Sequence, residues 1–336
     1  MSAIEEDIED ISLDVAAKKG IPFDKQVFIV GSRRSGTTWT LWLLSNHPEM
    51  VGVQHSNLID AFKRIDKWWQ DKDPYHNSIV SGNDNKNKTG LKDYLTSKDV
   101  FSQCSQLVKM VFSQAFKEKP LANVLVESQP ENIDNIKLLM NLFPDAYYLN
   151  VIRDPRSVFS SWKSVATTWS SSDSFNTHLA DFCIRWRREI DLSVNLSITA
   201  KNYREIRYEE LQNDGVSVLQ GVYDWINIES SSDLANVAID ACQLKKLRKK
   251  ANMPKGFFRN GKTEGWKNEL SSYEVKCIEY LLADIMDSLG YKRVNQGNIT
   301  KPYRLRIYCM KKNVLQWTRK TPLFGLLRTV SHRILG

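Results

Sequence analysis

Residues 27–39 read VFIVGSRRSGTTW, and this stretch decides the fold. The β-branched and aromatic run at 27–30 predicts a buried strand, and a helical pattern begins at Thr37. Between them, Gly31 and Gly36 bound a tight turn whose backbone N–H groups point inward, beside the positive end of the helix dipole. The stretch therefore predicts a P-loop-like phosphate-binding loop, to which two arginines and two threonines add donors.

Further apolar runs predict a sheet around this first strand. They lie at residues 124–126, 147–152 and 204–208, and helical patterns alternate with them. The predicted helices are 37–46, 133–143, 179–197, 216–226, 234–250 and 273–289. Strands that alternate with helices predict an α/β fold with a mainly parallel central sheet flanked by helices.

The positive charge of the chain is concentrated at its C-terminal end. The net charge is +8 at pH 7, yet residues 301–336 alone hold nine Lys and Arg and no acid. The first fourteen residues, in contrast, carry six acids and no base. A basic body that binds nucleic acid is therefore not indicated. We expect an acidic lead at 1–24, a single domain at 25–292 and a basic tail at 293–336.

The basic tail has an amphipathic pattern. A helix starting near Pro322 would place five apolar side chains on one face: Leu323, Leu326, Leu327, Val330 and Ile334. The pattern predicts either docking on the chain's own domain or peripheral contact of residues 301–336 with an anionic membrane surface. No apolar run approaches the length of a membrane span and the acidic lead is unlike a signal peptide, so we expect a cytoplasmic protein.

A second anion-binding pattern follows the run at 147–152. Arg153 comes directly after that run, and Pro155 suits the first turn of a helix. Ser161 then lies about two turns along this helix, so Arg153 and Ser161 are expected to reach one anion. An ordinary surface turn is the alternative for this segment taken alone.

A third pattern lies at residues 257–267, which read FFRNGKTEGWK. Cations and aromatic residues alternate here around two glycines. This mixture is typical of a lid that closes on a phosphorylated nucleotide, although a solvated loop has a similar composition.

Taken together, these motifs resemble the sulfotransferase family, which transfers a sulfuryl group from 3′-phosphoadenosine 5′-phosphosulfate (PAPS) to an acceptor. Residues 34–39 match the K/R-S-G-T-T-W pattern of cytosolic members, residues 207–211 resemble a strand-end Y-E-(D/E) element, and residues 259–267 match an R-x-G-…-W-K lid. The resemblance covers roughly residues 25–292 and rests on separate motifs in the same order.

The resemblance implies a set of PAPS-binding residues. Within the loop, Thr37 and Thr38 would hold the 5′-phosphate and Trp39 would pack on adenine, while Arg153 and Ser161 would hold the 3′-phosphate. The full predicted set is Arg33, Arg34, Ser35, Gly36, Thr37, Thr38, Trp39, Arg153, Ser161, Tyr208, Arg259, Asn260 and Gly261.

One segment departs from the family. Residues 127–132 read ESQPEN where bacterial and protein-modifying members read E-K-T-P-E-N, so Ser128 stands in place of a lysine. A second cation beside the sulfuryl group is then expected from Arg33 or Lys267.

The expected catalytic residues are Arg34, His55 and Glu127. Arg34 would take the cationic role beside the transferred group. His55 or Glu127 would accept the proton of the acceptor hydroxyl, and His55 follows where some relatives place a catalytic Glu. The five dispersed cysteines form no C-x-x-C pair, and no metal is expected.

These patterns predict a PAPS-dependent sulfotransferase that acts on a hydroxyl or amine of a glycan, glycolipid or small-molecule acceptor. Two alternatives stay open. Ser128 fits an inactive relative that binds the nucleotide as a regulatory module. A P-loop kinase fits less well, because the Walker lysine is missing and Arg153 precedes the candidate magnesium ligand Asp154.

Overall fold

The computed structural model describes residues 20–70, 95–168, 178–243, 246 and 263–295. The strands are β1 (Lys25–Val30), β2 (Met50–Gln54), β3 (Val124–Ser128), β4 (Tyr147–Ile152) and β5 (Asn202–Arg207). The helices are α1 (Thr37–Ser45), α2 (Leu58–Gln70), α3 (Ser97–Ser113), α4 (Ile136–Leu142), α5 (Pro155–Thr168), α6 (Leu179–Thr199), α7 (Tyr208–Asn213), α8 (Gly215–Ile226), α9 (Ser232–Ala241), α10 (Trp266–Glu269), α11 (Ser272–Leu281) and α12 (Ala283–Ser288). A 3₁₀ helix covers Gln114–Glu118.

The chain divides into two compact units, which are described separately. The first comprises Met1–Arg153 and Arg188–Thr263, and the second comprises Asp154–Arg187 and Glu264–Gly336. The first unit holds a five-stranded sheet in the order β2-β3-β1-β4-β5, and every neighbouring pair is parallel. The predicted α/β class with a mainly parallel sheet flanked by helices is confirmed.

Alternate residues of β1 enter hydrophobic clusters on opposite faces of the sheet. Phe28 and Val30 belong to one cluster, which includes side chains of α2, α3 and α4. Val27 and Ile29 belong to the other, which includes side chains of α1, α8 and α9. All four are at most 1% exposed, and burying a side chain of this size contributes about 1.5–3 kcal/mol. Burial on both faces explains why this strand reads as a continuous apolar run.

The second unit is built from α5, the first part of α6, and α10 to α12. Aromatic side chains join α5 to α6, with the rings of Phe159 and Trp162 lying 5.0 and 5.7 Å from Phe182. Asp154 accepts the backbone N–H of Arg156 and so caps the start of α5, while Pro155 occupies the first helical position. The helix predicted to follow Asp-Pro therefore forms.

Two predictions about elements were wrong in detail, and several elements, among them β2, α2 and α3, were not predicted. Strand β2 was not predicted, because its apolar run is short and contains Gly52. The helix predicted at 234–250 ends at Ala241. The helix predicted at 273–289 breaks at Leu282, whose φ of −120° and ψ of 15° are not helical.

The described residues include no helix that is both long and apolar enough to span a membrane. The acidic lead up to residue 19, the lid residues up to 262 and the tail from 296 onward lie outside the described residues. The predicted domain limits therefore stay predictions.

Candidate active site

Predicted site residues follow the carboxyl ends of four strands in the first unit. His55 follows β2, Gly31 follows β1, Arg153 follows β4 and Tyr208 follows β5. Since all five strands are parallel, these residues lie along one edge of the sheet. This is the edge at which α/β sheets of this kind bind their ligands.

The phosphate loop, residues 31–36, has the backbone that its glycines predict. Gly31 and Gly36 have φ of 142° and 108°, and Arg34 is left-handed with φ of 73°. A Cβ at Gly31 would lie 2.5 Å from the carbonyl oxygen of Val151 in β4, so only glycine fits here. Inside the loop, the backbone N–H of Ser35 donates to the Ser32 oxygen at 3.0 Å.

The loop is anchored from beneath by a buried carboxylate. The Ser32 hydroxyl donates to Glu189 Oε2 at 2.6 Å, and both residues are at most 5% exposed. Glu189 lies on α6, far away in sequence. A buried charge-assisted hydrogen bond of this kind fixes the position of the turn.

The loop and its surroundings fit an anionic ligand. Gly36 caps α1 in a left-handed conformation, no side chain caps this end, and the first turn carries no acid. The hydroxyl of Ser35 and Nε of Arg153 are buried and have no hydrogen-bond partner. Buried polar groups are nearly always satisfied, so these donors, together with the uncapped N–H groups of α1, fit the phosphates of a nucleotide.

Arg153, Tyr208 and Trp39 pack together against the loop. The Arg153 guanidinium lies 4.0 Å from the centre of the Tyr208 ring and donates through Nη1 to the Arg34 oxygen at 3.2 Å. The Tyr208 ring meets that of Trp39 edge to face at 5.7 Å. Burial raises the pKa of Tyr208, so its phenol stays protonated. The structure thus joins three predicted residues at the loop.

Arg33 points to the neighbouring strand rather than into the turn. Its guanidinium forms an ion pair with Glu131, which follows the end of β3, and both side chains are less than one third exposed. The cation therefore lies towards the β3 end, where Ser128 replaces the family's lysine. Ser128 itself is buried, with 2% exposure.

The two candidate bases differ sharply in exposure. His55 is exposed, whereas Glu127 is completely buried. Glu127 accepts hydrogen bonds from the Ser56 hydroxyl at 3.1 Å and the Asn132 amide at 2.6 Å. Burial raises the pKa of Glu127 to about 7, and the nearby Glu131 and Asp60 add to the rise. Of these two side chains, only that of His55 is accessible to solvent.

The second unit holds Ser161 and the C-terminal end of the lid motif. Ser161 is buried on α5, while Lys267 pairs with Glu264 at 2.5 Å. Arg156 lies 4.0 Å from the Trp266 ring and donates to both oxygens of Asp154. Since Asp154 is engaged in this way, it is not placed as the magnesium ligand that a P-loop kinase requires.

Two further predictions concern the lid and metals. Arg259, Asn260 and Gly261 lie outside the described residues, so their assignment to the nucleotide stays a prediction. In the described ranges, no group of three or more His, Cys, Asp or Glu side chains is arranged to hold a metal ion.

The sequence match to known families agrees with this geometry. The model of the sulfotransferase family matches residues 26–233. The chain belongs to the sulfotransferase family. The match covers all five strands and the phosphate loop, Arg153 and Tyr208, which is the part of this family member that forms the edge described above.

Curated relatives match part of the chain. Protein-tyrosine sulfotransferase 1 of Mus musculus is 25% identical over 182 residues, which are 53% of this chain and 45% of that protein. Protein-tyrosine sulfotransferase A of Caenorhabditis elegans is 24% identical over 207 residues, which are 60% of this chain and 50% of that protein. The chain spans about half the length of the curated relatives it matches.

Solved structures of sulfotransferases are similar at low identity. Sulfotransferase STF9 from Mycobacterium avium has 13% identity and a TM-score of 0.48, over 86% of this chain and 80% of that chain. The sulfotransferase domain of the Synechococcus PCC 7002 olefin synthase has 17% identity and a TM-score of 0.49, over 80% and 96%. Mouse SULT7A1, complexed with PAP, has 12% identity and a TM-score of 0.47, over 82% and 89%.

Several residues at the edge were not predicted from the sequence of this family member. Glu189 contacts Ser32 of the loop, Glu131 contacts Arg33, and Ser56 contacts Glu127. Glu189 and Ser56 carry no local signal. Glu131 lies within the ESQPEN segment, where its spacing from β3 was the available clue.

Proposed function

We propose that this chain transfers a sulfuryl group from PAPS to a hydroxyl or amine of an acceptor. The proposal rests on one observation: the phosphate loop leads into helix α1, and no side chain caps the N-terminus of that helix. Arg153 and Tyr208 lie beside the loop at the carboxyl edge of the sheet, in a chain of the sulfotransferase family. The unsatisfied Nε of Arg153 supports an anion at this place.

PAPS supplies the sulfuryl group that is transferred. The loop N–H groups and the hydroxyls of Thr37 and Thr38 bind its 5′-phosphate, and Arg153 binds the 3′-phosphate. Arg34 places positive charge near the group in transfer, while Arg33 is ion-paired with Glu131 towards the end of β3. Fixed cations and N–H donors of this kind lower the free energy of a transition state that develops negative charge.

His55 is proposed as the base that takes the acceptor's proton. Gln54, Ser128 and Ile29 are aligned across β2, β3 and β1. Neighbouring strands lie about 4.8 Å apart, so the β2 backbone is about 10 Å from that of β1. This spacing leaves room for an acceptor hydroxyl between His55 and a group held at the loop, with the proton passing to an imidazole nitrogen.

The acceptor is proposed to be a glycan, a glycolipid or a small molecule. The matched curated relatives are named for protein tyrosine, so a tyrosine peptide belongs in the same acceptor panel. We propose that the protein works in the cytoplasm, without a nucleic-acid partner.

The proposal is tested by binding of 3′,5′-bisphosphoadenosine, measured by calorimetry, and by transfer of labelled sulfate to that panel. Arg153→Ala should weaken nucleotide binding at least tenfold, since a charged hydrogen bond contributes about 1.5–3 kcal/mol. The matched control Arg188→Ala removes an exposed ion pair with Asp134 and should leave binding unchanged.

Catalysis is tested separately from binding. His55→Ala should keep nucleotide binding and lose turnover. Retained turnover would move the base role to another residue. Nucleotide binding without transfer to any acceptor would favour the regulatory-module alternative, and absence of both would overturn the proposal.

A further inference from the structure

The segment after β2 has an unfavourable backbone conformation. His55 and Asn57 have φ of 51° and 52°, in the left-handed region that L-residues with a Cβ rarely adopt. Two such residues within three positions persist only where the surrounding contacts hold them. These contacts therefore determine where His55 is presented.

Backbone and side-chain contacts with β3 and its extension hold this segment. The His55 N–H donates to the Ser128 oxygen at 3.2 Å, and the Asn57 N–H donates to Gln129 Oε1 at 3.0 Å. Between them, Ser56 donates its hydroxyl to Glu127 Oε1 at 3.1 Å and accepts the Leu58 N–H at 3.3 Å. Each of the three residues of the turn, His55, Ser56 and Asn57, is therefore held by at least one hydrogen bond.

Glu127 is itself held rigidly beneath the turn. It is completely buried at the end of β3, paired in register with Phe28 of β1 and Val53 of β2. Its second oxygen accepts from the amide of Asn132, which also donates to the Ile29 oxygen at 3.3 Å. The contacts therefore run from the strand that leads into the phosphate loop to the turn that carries His55.

We infer that Glu127 is a positioning residue, whose buried carboxylate binds Ser56 and fixes the turn that presents His55 at the edge of the sheet. Glu127 does not touch the acceptor, because its side chain is enclosed. The role rests on the proposed function, in which His55 accepts the proton. It gives a structural reason for a carboxylate at a buried position, where desolvation disfavours its charge.

Ser56→Ala is the principal test, because it removes one hydroxyl and leaves Glu127 and Asn132 in place. Displacement of His55 should lower kcat about 10- to 100-fold, while the affinity for 3′,5′-bisphosphoadenosine stays the same. Ser56→Thr keeps the hydroxyl and should restore most of the activity. Glu127→Gln should lower kcat, and the double variant should be no slower than the slower single variant.

Two further measurements distinguish positioning from a loss of folding. The matched control Ser193→Ala removes a buried serine hydroxyl that donates to the Ile190 oxygen, and its kcat should equal that of the wild type. Hydrogen exchange of the His55 amide, which donates to Ser128, should be at least tenfold faster in Ser56→Ala at unchanged melting temperature.

The exchange measurement does not depend on turnover. If the wild type binds the nucleotide but transfers to no acceptor, the proposed function fails, whereas faster His55 exchange in Ser56→Ala still supports a turn held by Glu127. Unchanged kcat and exchange in Ser56→Ala would overturn the inference. Additive losses of kcat in the double variant would also overturn it, because Ser56 and Glu127 would then act independently.

Discussion

At the scale of single residues, Gly36 of the phosphate loop lies in close contact with the ring of Tyr208. A Cβ built at Gly36 would lie 2.4 Å from Cδ2 of Tyr208, and φ at Gly36 is 108°. The glycine therefore permits both the turn and the close approach of the ring. A side chain at this position would displace the ring on which Arg153 stacks.

Gly36→Ala should accordingly weaken binding of 3′,5′-bisphosphoadenosine by tenfold or more and lower the free energy of unfolding by about 1–3 kcal/mol. Calorimetry and urea unfolding measure the two effects. Gly290→Ala is the matched control, because φ there is 74° and nothing lies within 4 Å of the added Cβ. Gly290→Ala should lower the free energy of unfolding through backbone strain alone and leave nucleotide binding normal. An equal loss of nucleotide binding in both variants would contradict the clash between the added Cβ and Tyr208.

Glu127 makes stability depend on pH. Its pKa is about 7 in the folded protein, against 4.5 as the reference value. Between these values the folded state holds the proton more firmly than the unfolded state does. The contribution of Glu127 to the free energy of unfolding is therefore largest below pH 4.5. It falls by about 3 kcal/mol as the pH rises through 7.

Glu127→Gln removes this titration. Its free energy of unfolding should change less than that of the wild type between pH 5 and pH 8, as measured by urea unfolding. Identical pH dependence in the two proteins would show that Glu127 does not carry the effect.

The strand, turn and helix around the predicted phosphate loop could be predicted from the sequence, since the residues that define them are adjacent. The residues that hold it could not. Glu189 reaches Ser32 from 157 positions away, and Ser56 reaches Glu127 across 71 positions. A buried polar contact between distant segments leaves no periodic pattern in either one.

At the scale of elements, α1 is held at its C-terminal end by a lysine from a distant segment. Its first turn follows the phosphate loop, and near its last turn the Lys119 ammonium donates to the backbone oxygens of Ser45, His47 and Met50 at 2.6, 3.3 and 3.1 Å. Lys119 thereby satisfies carbonyl groups where the chain leaves the helix and enters β2.

Lys119→Met should lower the free energy of unfolding by about 1–3 kcal/mol, because it leaves those carbonyls without their shared donor. Lys117→Met, at an exposed position of the 3₁₀ helix that ends just before Lys119, is the matched control and should change stability by less than about 0.5 kcal/mol. Equal stability of the two variants, measured by denaturant unfolding, would contradict the capping role.

Some elements were predicted from their patterns, whereas others, including the amphipathic helices α2 and α3, were not. Strand β1 is apolar on both faces and was predicted together with the helix after it. Strand β2 contains Gly52 and is only five residues long, so it gave no comparable signal. It is recognisable in the structure because it pairs with β3, which is a tertiary contact.

At the scale of the whole molecule, we predict that the positive charge beyond residue 300 determines where in the cell the protein works. The apolar face predicted from Leu323 to Ile334 and the nine bases of residues 301–336 would fit an anionic membrane surface, where each cation contributes about 1 kcal/mol. We expect the full chain to float with anionic liposomes and a chain truncated after Lys301 to remain in the soluble fraction. If both chains float, a segment other than the tail contacts the membrane. If neither floats, the membrane contact is excluded.

The buried carboxylate of Glu279 in the second unit limits how far the chain can be shortened from its C-terminal side. Glu279 is completely buried, accepts from Arg156, and also accepts the backbone N–H groups of Val294 and Asn295 at 2.8 and 2.9 Å. The Asn295 side-chain amide donates to Glu279 as well, so a fragment ending before Val294 would leave an enclosed carboxylate without three of its donors. The shortest practical fragment for expression and crystallisation therefore ends after Asn295, well past the family match at residue 233.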